Sequence, residues 1–209
     1  MTYFNDLVGG YRRFRTTRYE TERQRWAELS EGQSPKVMVI ACSDSRTEPA
    51  EIFDSRPGEI FVVRNIANLV PPLELGGGRH GVSAALEFAV NQLEVEEIVV
   101  LGHGSCGGVA AALSERFKGA QPGHGGFIAK WIDVLDEARD RILAEYGDGP
   151  EAVRRMEHET VRVSIANLRT FPCVQKREAA GRLTIHGAWF SIAGGELHVM
   201  GEDGEFRVA

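Results

Sequence analysis

The sequence predicts an α/β fold with a mostly parallel central sheet flanked by helices, plus an edge strand or hairpin from the C-terminal segment. Three observations carry this expectation. Short continuous apolar runs at 36–41 (KVMVIA), 59–63 (EIFVV) and 97–101 (EIVVL) have the pattern of strands buried on both faces. Helical patterns separate them, as the crossovers of a parallel sheet require. The end of the chain changes character: runs at 182–187, 189–193, 196–201 and 205–208 read as strands, joined by turns such as Gly194-Gly195 and Asp203-Gly204.

In chain order, residues 11–30 read as one amphipathic helix, with Tyr11, Phe14, Tyr19 and Trp26 as its packing side chains. The first strand follows Pro35 and runs into the polar stretch Cys42–Arg46. Thr47 suits the N-cap of a short helix through Phe53, with Glu48 and Pro49 in its first turn. After the second strand, residues 81–93 read as a helix with a small-residue face. The third strand ends at Gly102, and a helix opens near Gly107 and runs to about Phe117. Residues 118–126 (KGAQPGHGG) are a loop. Helices at about 127–146 and 150–169 follow. The 209 residues suit a single domain, residues 1–209, with a helical arm at about 1–31.

The balance of 24 Lys+Arg against 30 Asp+Glu gives a net charge of −6, which argues against sequence-independent nucleic-acid binding. The Arg-rich stretch 12–25 is interrupted by Glu20 and Glu22 and reads as a solvated or subunit-facing helix. No apolar run has the length a membrane span needs, and the N-terminus lacks the apolar core of a signal peptide. Three cysteines argue against a disulfide framework and for a reducing, cytoplasmic setting in which thiols are free to bind metal.

Two segments hold most of the chemistry: Cys42-Ser43-Asp44-Ser45-Arg46 and His103-Gly104-Ser105-Cys106-Gly107-Gly108. Both follow strands. In open α/β sheets ligands bind beyond the carboxyl ends of strands, where the strand order reverses. If the first and third strands are neighbours, Cys42, His103 and Cys106 converge. Two thiolates and an imidazole suit zinc, and three protein ligands leave a fourth position open for catalysis. Asp44 and Arg46 sit two residues apart, so Arg46 can hold Asp44 ionised in a fork geometry. Cys173 follows a helix and a proline, and reads as structural. Gly102-His-Gly104-Ser-Cys-Gly107 also matches the dinucleotide fingerprint, but the acidic residue at the end of a following strand is missing.

These residues resemble a known family. A-C-S-D-S-R at 41–46, R-N-x-A-N at 64–68 and H-x-x-C-G-G at 103–108 together are similar to the β-class carbonic anhydrases, over roughly residues 25–200. The resemblance implies one Zn(2+) per subunit on Cys42, His103 and Cys106, with Asp44 and Arg46 as the catalytic dyad. It implies reversible hydration of carbon dioxide to bicarbonate, and a homodimer or dimer-based higher oligomer with the active site near the interface. Gln33 and Phe61 match pocket residues of the plant-like subgroup, and the Gly107 N–H is expected to bind bicarbonate oxygens. Phe88 stands where that subgroup has a pocket tyrosine. Val39 and Phe190 stand where the other subgroup carries the Trp and Tyr of a bicarbonate inhibitory site, so Arg64 alone is not expected to form one. Hydrolysis of COS or CS2 on the same site, or a catalytically silent zinc-binding protein, are the alternative readings.

Overall fold

The computed structural model describes residues 2–76 and 78–209. The chain forms two compact units, residues 1–34 and 35–209.

The first unit is three helices rather than one: α1 (Phe4–Thr16), α2 (Arg18–Thr21) and α3 (Arg23–Glu31). The breaks fall at Thr17 and Glu22. Threonine hydroxyls explain the first break, because Thr16 Oγ1 and Thr17 Oγ1 donate back to the Arg12 and Arg13 carbonyls and compete with the helix ladder. Phe14, Tyr19 and Trp26 pack together with ring centroids 5.5–6.1 Å apart. Tyr11, expected to pack with them, is exposed instead. Glu20 pairs with Arg15 and Arg23, which accounts for part of the arginine run.

The second unit is a six-stranded sheet with flanking helices. Its elements are β1 (Val37–Cys42), α4 (Pro49–Ile52), β2 (Ile60–Asn65), α5 (Gly81–Glu87), β3 (Glu97–His103), α6 (Gly107–Leu113), α7 (Gly126–Ile132), α8 (Asp136–Tyr146), α9 (Pro150–Leu168), α10 (Pro172–Ala179), β4 (Thr184–Ser191), β5 (Glu196–Met200) and β6 (Phe206–Val208). The strand order is β2-β1-β3-β4-β5-β6. The first four strands are parallel, and β5 and β6 add an antiparallel edge. The fold class expected from the strand and helix pattern is therefore the one observed.

Five local differences separate the expected elements from those observed. The strands expected at 182–187 and 189–193 are one strand, β4, because residues 184–190 pair continuously with β3. Gly187 is a packing glycine rather than a turn: a Cβ there would lie 3.0 Å from Val161 Cγ1. The helix expected over 127–146 is divided by a 3₁₀ turn at Asp133–Leu135, and the one expected to about Phe117 ends at Leu113. The helix expected to 93 passes at Phe88 into a wide turn through Gln92. Helix α10, not expected, starts on Pro172 and carries Cys173 against the core.

The core has three parts. Met38, Ile40, Ile98 and Val100 meet residues of α5, α9 and α10 on one face of the sheet. Val39, Ala41 and Leu101 pack with Ile52 and Phe53 on the other. Beyond the strand ends, Cys42 and Cys106 are buried among Ala67, Leu69, Leu135 and Met156.

Candidate metal centre

β1 and β3 are neighbours, with Ala41 opposite Leu101, so Cys42 and His103 leave adjacent strands at nearly the same height. From β1 the chain turns outward to β2, then crosses to β3 on the other side. This is the reversal in strand order that opens a crevice at the carboxyl edge of a sheet. Cys106 then caps α6, and the three side chains converge, with one ligand atom from each within 4.8 Å of the others. All three are buried, His103 to 1% exposure.

The donor set fits a zinc ion. His103 Nδ1 donates to the Gly104 carbonyl at 2.9 Å, so the proton sits on Nδ1. Nε2 is then the ring's free nitrogen, buried, turned toward the cysteines and, among the described residues, without a hydrogen bond of normal geometry. A buried polar atom in that state is costly unless something binds it. The sulfurs of Cys42 and Cys106 lie 3.9 Å apart. Their contact pushes the Cys42 thiol down and, with burial, holds the Cys106 thiol up. Two sulfurs this close do not ionise together unaided, and a borderline-soft dication bound between them would let both act as thiolates.

The first ligand loop is tied by arginines. Asp44 accepts from the Arg46 backbone N at 3.0 Å, from Nε at 2.9 Å and from Nη2 at 2.7 Å. The Arg46 guanidinium, with its backbone amide, holds the Asp44 carboxyl well below the usual carboxylate range. Asp44 Oδ2 lies 4.0 Å from His103 Nε2. Arg46 Nη2 also donates to the Ser105 carbonyl at 3.0 Å, joining the two ligand loops. Arg64 donates to the Cys42 and Asp44 carbonyls at 2.9 and 2.7 Å and pairs with Glu48.

The R-N-x-A-N segment is a turn around which the centre is built. The Asn65 side chain bonds both the N–H and the carbonyl of Leu69, and Ala67 and Asn68 have φ of +62° and +49°. Helix α6 presses against this turn at Gly108, where a Cβ would lie 2.7 Å from Ile66 Cγ2. Gly107 has nothing within 4 Å of a Cβ and faces an open cleft. That cleft, of about 280 Å³, has Cys42, Asp44 and Gly107 on its polar side and Ile66, Phe117 and Ile128 as apolar walls.

The other expected pocket residues are elsewhere. Phe61 and Phe88 stack on one another, centroids 5.9 Å apart. Phe61 pairs with Met38, four residues before Cys42, and neither ring lines the cleft. Gln33 is exposed in the N-terminal unit.

Sequence reasoning missed the buried polar stripe of α9. Glu157, Thr160 and Ser164 are 4%, 0% and 0% exposed. Ser164 Oγ donates to the Asn68 carbonyl and accepts from Val70 N, holding the turn from behind. Glu157 accepts from the Cys106 backbone N at 3.4 Å. Burial pushes its carboxyl up, and the Cys106 and Ser105 amides pull it back. The available signal was a helix whose core-facing positions at i, i+3 and i+7 are polar.

A family model described as carbonic anhydrase matches residues 37–197. The chain belongs to the carbonic anhydrase family. It is 34% identical to Beta carbonic anhydrase 6, mitochondrial, of Arabidopsis thaliana, over 91% of this chain and 65% of that protein. It is 37% identical to Beta carbonic anhydrase 3 of the same plant, over 90% of this chain and 73% of that protein. The chain thus spans about two thirds to three quarters of the length of these curated relatives. Among solved structures, the β-carbonic anhydrase CcaA superposes with a TM-score of 0.89 at 30% identity, covering 98% of this chain and 91% of that one. A tetrameric β-carbonic anhydrase from the ascomycete Sordaria macrospora gives 0.80, also at 30% identity, covering 95% and 96%. These likenesses set this carbonic anhydrase with the plant-like β class.

Proposed function

We propose that this carbonic anhydrase interconverts carbon dioxide and bicarbonate at one zinc ion per subunit, held by Cys42, His103 and Cys106. The observation that carries the reading is the buried His103 Nε2 facing two sulfurs, with an ionised carboxylate 4.0 Å away. When bound there, the ion supplies Lewis acidity, which makes a water nucleophilic near neutral pH. Asp44, kept ionised by Arg46, is acceptor-only, and its Oδ2 takes the O–H of the attacking nucleophile and turns the lone pair toward carbon. The apolar walls Ile66, Phe117 and Ile128 suit a small uncharged substrate, and the Gly107 N–H meets the developing bicarbonate oxygens. Bicarbonate leaves by the open side of the cleft and the proton goes to solvent.

The functional unit in this reading is a homodimer or an assembly of dimers. In that assembly the stacked pair Phe61–Phe88, which does not line its own chain's cleft, faces the pocket of a second copy. The Sordaria relative is described as tetrameric. The chain acts as a single domain over 1–209, with residues 1–31 as a helical arm, and works in the cytoplasm. Among the described residues no helix is long and apolar enough to cross a membrane.

The test is zinc analysis combined with stopped-flow CO2 hydration before and after chelation. Stoichiometric zinc, loss of hydration on chelation and recovery with zinc are expected. A zinc-loaded protein that does not hydrate CO2 would contradict the reading. Turnover of COS or CS2 above CO2 would move it to the hydrolase alternative.

A further inference from the structure

The turn between His103 and Cys106 is strained. Ser105 has φ +55°, a region that side chains other than glycine enter only where the surroundings over-determine it. Two charged side chains from remote segments grip this residue from opposite sides. Arg46 Nη2 takes the Ser105 carbonyl at 3.0 Å. On the other side, Glu157 of α9 accepts the Cys106 amide at 3.4 Å, and the Ser105 amide also points at its carboxylate. Glu157 is only 4% exposed. Leaving a carboxylate inside the protein is costly, and a core-facing helix position would ordinarily be apolar. Something must favour the acceptor here, and the carboxyl meets the amides leading into α6 together with the Trp189 side chain.

We propose that Glu157 is a positioning residue of the metal centre: by accepting the Cys106 amide it fixes the Ser105–Cys106 peptide at the angle that turns Cys106 Sγ toward Cys42 Sγ and His103 Nε2. The proposal rests on the reading of those three residues as zinc ligands. Glu157 touches neither the ion nor the substrate in this account and acts through Cys106.

Two near-isosteric variants separate the brace from simple space-filling. Glu157→Gln keeps an oxygen that can accept the amide, whereas Glu157→Met fills the volume without an acceptor. Zinc affinity is read by chelator competition, and ligand geometry by the visible bands of the cobalt-substituted protein. The zinc content of the unmodified protein is measured first, so that failure of the ligand assignment is recognised separately. Glu157→Met should bind zinc about 10–100-fold more weakly with displaced cobalt bands. Glu157→Gln should stay within a few-fold of the unmodified protein with its bands in place. Equal zinc affinity and identical bands in the two variants would overturn the proposal. If the Met variant does not fold, Glu157→Gln decides alone: retained affinity and bands support the brace, and a tenfold loss overturns it.

Discussion

The two glycines after Cys106 provide the sharpest test of how the centre is built. They are adjacent, share a helix turn and look interchangeable in sequence. A Cβ on Gly108 would lie 2.7 Å from Ile66 Cγ2, 3.0 Å from Ala67 Cβ and 3.4 Å from the Ala67 backbone N, whereas one on Gly107 meets nothing within 4 Å. The Ile66–Ala67 turn is gripped by Asn65, Thr160 and Ser164, so it yields little. Overpacking of this kind costs about 1–3 kcal/mol. At Gly107 the alanine meets no steric cost and restricts the unfolded chain, a gain of about 0.4–1 kcal/mol. Gly108→Ala restricts the unfolded chain equally, so the two variants should differ by the overpacking alone, about 1–3 kcal/mol. For a chain of this size each kcal/mol moves Tm by about 2–4 °C, so Gly108→Ala should melt roughly 2–12 °C below Gly107→Ala. Activity should rank the other way per folded molecule. The Gly107 methyl narrows the cleft beside Asp44, lowering kcat/KM by about tenfold without loss of zinc. Circular-dichroism melts and stopped-flow hydration on zinc-loaded protein measure both quantities. Melting temperatures within about 2 °C of each other would refute the close approach of α6 to the Ile66 turn.

Other expectations follow from the same geometry. Asp44→Asn should keep its zinc and lose CO2 hydration by about 100-fold or more; near-normal turnover would remove Asp44 from the mechanism. Two thiolates cancel the charge of a zinc dication, so kcat/KM should rise through mildly alkaline pH, and a flat profile from about pH 6.5 to about pH 9 would contradict that. His158, stacked on Phe206, is held down to about 4 by burial, then by Arg162 and His198. Its folded value lies below its unfolded one, so it binds a proton in the unfolded chain first. Its contribution is complete above about pH 6.5 and is lost as pH falls toward the folded value. Urea midpoints of the parent and of His158→Phe should diverge between pH 7 and pH 5, roughly, with the parent losing more; parallel losses would refute it. Mixing the inactive variants Asp44→Asn and Phe61→Ala should restore activity if a second copy supplies Phe61, because one of the two sites in each mixed dimer is then intact. No restoration would place Phe61 in its own chain's site.

Much of this protein was legible from local pattern. The central strands β1 and β3 are continuous apolar runs, and apolar burial on both faces leaves little alternative for such segments, whereas β2, at the sheet edge, is only half-buried. Cys42 and His103 end their strands and Cys106 follows in the next loop, and their chemistry identifies them wherever they converge. Asp44 and Arg46, two residues apart, reach each other with no help from the rest of the fold. Where local signals compete, the sequence was less informative. Threonine hydroxyls break the arm into three helices, and Gly187 is spared from being a turn by Val161 behind it. What only the tertiary structure decided are relations between remote segments. Glu157 and Ser105 belong to different elements, and nothing in the pattern of α9 says which amides its carboxylate will meet. The same is true of Gly108, which must be glycine because of a methyl group on Ile66, and of Phe61, which the register of β2 carries away from Cys42. Ligand identity is a property of single side chains, so composition and order reveal it. The vacancy at Gly107, the grip on Ser105 and the buried Nε2 of His103 are properties of distances between segments, and those exist only once the chain has folded.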